Sequence, residues 1–89
     1  MREGDTVRLQ PFARPRFDEV RGQWIINAPE RVLVLDDTAK AIVDALDGRT
    51  LKDIIDDLAS QYDAPRDAIA ADVLSFVSEL NDKRLVRHG

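Results

Sequence analysis

The side chains best suited to chemistry are few and badly placed for it. His88 is the only His of 89 residues and stands one position from the end of the chain, and there is no Cys. A catalytic base or metal ligand must be held from several sides, which a tail does not provide. His88 therefore reads as an inert tail residue. Without thiolates or a second imidazole, a metal would have to be held by oxygen, and the pairs Asp36-Asp37 and Asp56-Asp57 are the places to look. Neither continues into the spaced carboxylates and fixed Gly of a calcium loop. The first pair reads as a helix cap and the second as a solvated helix face. Ser60, Ser75 and Ser78 have no base within a plausible fold, and no Gly-rich turn follows a strand to cradle phosphate. The expectation is a non-enzyme with neither cofactor nor metal.

Composition narrows the remaining classes. A chain of 89 residues has room for one domain, near the size at which a single core suffices without a disulfide or metal. The absence of Cys agrees with a reducing compartment. Met1-Arg2-Glu3-Gly4-Asp5 is charged and leads into no apolar run, so it does not read as a signal peptide, and no window approaches the roughly 20 apolar residues of a membrane span. A soluble, cytoplasmic protein without membrane contact is expected. A net charge of -4 argues against a sequence-independent grip on nucleic acid, because phosphate neutralisation supplies most of that affinity.

The elements that must position a site are organised around Arg31 to Leu35. Val32, Leu33, Val34 and Leu35 form an apolar run, β-branched at every second place, which favours a strand covered on both faces. One face meets the domain's own core. A chain this short has little left to cover the other, so something outside the fold is the natural candidate. The larger Leu pair, Leu33 and Leu35, is expected to turn inward. Upstream, Gln23 to Asn27 reads as a second strand, joined through Ala28-Pro29-Glu30 as a tight hairpin connection. Arg16-Phe17-Asp18 adds a first strand before a turn over Glu19 to Gly22, and Val32 to Leu35 becomes the edge of a three-stranded antiparallel sheet. Residues 1–13, with Gly4, Pro11 and alternating charges, read as a mobile arm, and residues 14–89 as a single domain.

Everything after Leu35 looks helical. A first helix is capped by Asp36, Asp37 or Thr38, carries Ala39, Ile42, Val43 and Leu46 at helical spacing, and stops at Asp47-Gly48. The second opens on Thr50 with Asp53 three residues on, a variant capping box, and lines up Leu51, Ile54, Ile55, Leu58, Ala59 and Tyr62. The third follows Asp63, tolerates Pro65 in its first turn and runs to about Lys83 on a core stripe of Ile69, Val73, Phe76, Val77 and Leu80. Leu85-Val86 then packs back or frays. The predicted class is α+β and winged-helix-like, a three-stranded antiparallel sheet followed by three helices.

At about 100° per residue, the third helix gathers Ala71, Leu74, Ser75 and Ser78 on the side away from that stripe. In a chain that is 34% charged, an uncharged outer strip either meets a partner, meets a second copy of the chain, or is chance.

The hairpin with Ala28-Pro29-Glu30 at its tip, followed by Leu35-Asp36-Asp37-Thr38-Ala39, Asp47-Gly48 and Asp72-Val73-Leu74-Ser75-Phe76-Val77, resembles the PqqD family of pyrroloquinoline quinone biosynthesis. The likeness spans about Arg14 to Val86. Two positions depart from the family pattern: Arg31 stands where a Gly usually follows Pro-Glu, and Lys83-Arg84 stands where a Gly often precedes the final apolar pair. The resemblance implies a peptide-recognition domain without chemistry of its own. Its partners would be the precursor peptide PqqA and the radical SAM enzyme PqqE, which cross-links a Glu and a Tyr of that peptide. It also implies that the peptide adds as a strand beside the third strand and lies against the third helix, which makes Arg31, Val32, Leu33, Val34, Leu35, Ala71, Leu74, Ser75 and Ser78 the expected contact residues.

Three other readings compete. One is recognition of the leader of a different ribosomal peptide. Winged-helix DNA binding is opposed by charge, since the second helix sets Lys52 against Asp53, Asp56 and Asp57, and the third sets Arg66 against Asp67, Asp72, Glu79 and Asp82. The last is a homodimer in which the exposed strand pairs with its own copy, which is compatible with peptide binding.

Overall fold

The computed structural model describes residues 1–27 and 32–88. The hairpin turn expected at 28–30 and the contact expected of Arg31 lie outside the described residues. Strands β2 (Arg16–Asp18), β3 (Gln23–Asn27) and β4 (Val32–Leu35) form the expected antiparallel sheet in the order β2-β3-β4, which leaves β4 at an edge. Its register sets Phe17 opposite Trp24, Trp24 opposite Leu35 and Ile26 opposite Leu33.

A second sheet, absent from the expectation, is built from β1 (Thr6–Leu9), β5 (Asp47–Thr50) and β6 (Val86–His88) in the order β5-β1-β6. This corrects the reading of residues 1–13 as a mobile arm. Val7 and Ala13 are fully buried, and β1 pairs with strands from the middle and the far end of the chain. The carbonyls of Glu3 and Asp5 accept from the N–H groups of Lys52 and Leu51 at 2.7 and 2.9 Å, so the arm satisfies donors that the start of a helix leaves open. Arg66 reinforces the junction, bonding Glu3 and Asp56, each at 2.5 Å.

Helix α1 (Asp37–Asp44) is capped by Asp36, whose Oδ1 accepts from the Ala39 N–H at 2.7 Å. It ends at Asp44 with Ala45 as its C-cap, three residues before Asp47-Gly48, which starts β5 instead of terminating the helix. Gly48 is favoured there by its φ of +101°, which side chains rarely adopt; a Cβ would also displace the Arg8 guanidinium of the neighbouring strand, which is free to swing away. Helix α2 (Leu51–Tyr62) is capped by Thr50, which accepts from the Asp53 N–H at 3.2 Å. Helix α3 (Arg66–Asp82) buries Ile69, Val73, Val77 and Leu80, while Phe76, expected in the core, is only half-buried.

The three helices and both sheets share one core that runs from Val7 through Ile26, Leu35, Ile42 and Leu51 to Val77, Leu80 and Leu85. Leu85-Val86 packs back, both residues buried, and β6 carries His88 into the sheet, where its Nε2 lies 3.3 Å from Asp5 Oδ2. His88 is thus a sheet residue and not a frayed tail. None of the described helices is long and apolar enough to cross a membrane.

Candidate peptide-binding edge and groove

β4 bonds β3 on one side only, and its other side presents unpaired backbone groups of the kind to which an extended chain adds. Its side chains alternate from Leu33 to Leu35, while Val32 at its start is half-buried. Leu35 is 3% exposed and Leu33 is half-buried against the core, whereas Val34 is 44% exposed. The Leu pair turns inward because the larger side chains gain most from burial. The outer face of the strand, expected to need cover, stays open at Val34.

Directly after Leu35 the chain enters a groove of about 370 Å³ between α1 and α3. Asp36, Thr38, Ala39 and Ile42 line one wall, and Asp72, Ser75, Phe76 and Glu79 the other. Positions 72, 75, 76 and 79 follow the i, i+3, i+4, i+7 spacing of a single helical face. Of the uncharged strip expected to meet a partner, only Ser75 lies in this groove. Ala71 is exposed outside it, Ser78 is half-buried outside it, and Leu74 is half-buried and packs on the core from the opposite flank. The groove face is rotated roughly 100° around α3 from the strip, with Ser75 on the boundary.

Sequence periodicity thus locates the strand, and of the groove's lining on α3 its uncharged strip includes only Ser75. The apolar stripe of α3 puts Phe76 in the core and the cap pattern gives Asp36 a single task, yet both line the groove. The available signal is the charge flanking Phe76: a residue bracketed by Asp72 and Glu79 on its own face cannot be wholly interior.

Among the described residues the lining contains three carboxylates and no Lys or Arg. Asp36 has one oxygen engaged in the helix cap. Glu79 Oε1 is 3.3 Å from Lys83 Nζ, a pair on the exposed side of α3. Asp72 pairs with no cation among the described residues. Between edge strand β2 and central strand β3, Phe17 and Trp24 make an edge-to-face contact at 5.6 Å, with Lys40 Nζ 4.1 Å from the Trp24 ring centre. That arrangement satisfies two half-exposed rings without entering the groove. Among the described residues no group of His, Asp or Glu is arranged to hold a metal ion.

The model of the family described as coenzyme PQQ synthesis protein D, PqqD, matches residues 23–86. A Rhizobium meliloti protein named PqqA binding protein is 48% identical over 81 residues, covering 90% of this chain and 83% of its own. A Gluconobacter oxydans protein of the same name is 40% identical over 85 residues, covering 94% and 88%. The solution structure of the PqqD portion of Methylobacterium extorquens PqqCD, described as a stand-alone recognition element for ribosomally synthesised and modified peptides, superposes with a TM-score of 0.80 at 39% identity, over 97% of this chain and 93% of that one. The crystal structure of PqqD from Xanthomonas campestris gives a TM-score of 0.62 at 39% identity, over 89% of each chain.

Proposed function

The chain belongs to the PqqD family, and on that premise we propose that it binds a PqqA precursor peptide in the cytoplasm and holds it for the radical SAM enzyme PqqE, without catalysing a reaction itself. The peptide extends the β2-β3-β4 sheet as a fourth strand along β4. Its side chains on one face then drop into the groove between α1 and α3.

The observation that carries this reading is adjacency: the free edge of β4 runs into Asp36, which already lines the groove. A peptide hydrogen-bonded to the strand is delivered to the helix wall without a change of direction. Main-chain bonds supply affinity along the strand, and the groove supplies discrimination among side chains. In this reading the peptide runs along Val32 to Leu35 and meets Ser75, Phe76, Ile42 and Asp72 in the groove.

The test is a parallel titration of labelled PqqA peptide and of random duplex DNA with the full chain at moderate salt, followed by addition of PqqE to the peptide complex. Saturable peptide binding, retained when PqqE joins, is expected. Tight duplex binding with no response to peptide would overturn the reading.

A further inference from the structure

Deepening that same reading of the groove, we propose that it selects a peptide whose bound segment carries a Lys or Arg beside an apolar side chain, with Asp72 pairing the cation while Ile42 and Phe76 receive the apolar neighbour. The floor and the rim of the groove differ in kind. Ala39, Ile42 and Phe76 provide apolar surface, and every charged residue of the lining among the described residues is acidic.

The three carboxylates are not equivalent. Asp36 caps α1, and the positive end of that helix dipole disfavours a cation on its wall. Glu79 already has Lys83 within 3.3 Å. Asp72, mid-helix on the facing wall, is exposed and has no cationic partner among the described residues. A strand laid over the groove withdraws water from Asp72, and an acid left unpaired under that cover opposes binding. A cation in the peptide removes the penalty, whereas a Glu or Asp at the same place meets three carboxylates and a chain of net charge -4. The groove therefore discriminates by rejection as much as by attraction.

The experiment uses labelled PqqA peptide, a set of peptides in which each Lys or Arg is replaced singly by norleucine, and the full chain as wild type, Asp72→Asn and Glu19→Gln. One norleucine peptide is expected to bind about three- to tenfold more weakly than the parent, and Asp72→Asn to cause a loss of about the same size that shrinks as salt is raised. Combining the two changes adds little further loss, the signature of a direct pair. Glu19→Gln, which removes the same charge from the β2–β3 turn, leaves affinity within twofold. Asp72→Lys is expected to recover binding to a peptide carrying Glu at the identified position. Binding of the parent peptide by Asp72→Asn within twofold of wild type, or losses that simply multiply, overturns the inference while leaving peptide binding intact. Absence of any parent-peptide binding removes both.

Discussion

Arg84 holds a backbone conformation that suits another residue. Its φ is 60°, and it sits at the left-handed position of the motif closing α3, where the Leu85 N–H reaches the Leu80 carbonyl and the Arg84 N–H the Asn81 carbonyl, both at 3.0 Å. A side chain there costs about 1–2 kcal/mol relative to Gly, and the greater freedom of Gly in the unfolded chain returns about 0.4–1 kcal/mol of that. Arg84→Gly is accordingly expected to stabilise the protein by up to about 1.5 kcal/mol, read as a higher urea midpoint at unchanged slope. A lower midpoint would mean that the Arg84 side chain contributes more than its backbone costs. Single residues with local tasks are the most legible part of the sequence: Asp36 and Thr50 cap the helices that their types and spacing announce. Phe76 is less legible because a 3.6-residue period marks a stripe without fixing its edges, and Phe76 lies on the edge that borders the groove.

At the level of elements, β2, β3, β4 and the three helices can be read from local periodicity, while β1, β5 and β6 cannot. These last are three or four residues long and pair only with one another across most of the chain, so their signal is nonlocal. Asp47-Gly48 resembles a helix terminator because a Gly of positive φ serves strands and helix ends alike. The arm that supplies β1 is fastened by Arg66, whose hydrogen bonds to Glu3 and Asp56 hold both carboxyls below their ordinary values. Groups with lowered folded-state values stabilise the fold above the ordinary carboxylate range, near pH 4, and lose that contribution as pH falls through the lowered values. Melting temperature should therefore fall on acidification below about pH 4.5, and Arg66→Gln should flatten this fall while lowering stability at neutral pH. An unchanged acid limb in the variant would show that other carboxylates control it. For β4 the period of two gives a sharper test. Alternate residues of an edge strand direct N–H and C=O groups outward, and Pro removes a donor, so a Pro scan from Val32 to Leu35 should separate into one class that loses peptide binding with the fold intact and another that loses the fold. Parallel loss at all four positions would show that the peptide does not add as a strand.

For the whole molecule, the consequence of an open β4 edge is competition. An unpaired apolar strand pairs with any compatible chain, and a second copy of the protein presents the same strand, related by a two-fold axis that makes β4 antiparallel to itself. Two forces oppose this association. Each copy carries a net charge of -4, and the acidic groove beside β4 brings like charges towards the junction. A four-residue strand also offers few bonds against the entropy of association. A weak dimer is therefore expected, promoted by salt and by concentration. Because one edge accepts one strand, dimer and peptide complex exclude each other, and saturating peptide should return the protein to one chain per complex. Sedimentation across a concentration series, at low and high salt, with and without PqqA peptide, reads this directly. A monomer under every condition would mean that charge and edge length already protect the strand, and a dimer that takes up peptide without dissociating would place the self-contact elsewhere, with the β2 edge, carrying exposed Arg16 and Phe17, the next surface to test.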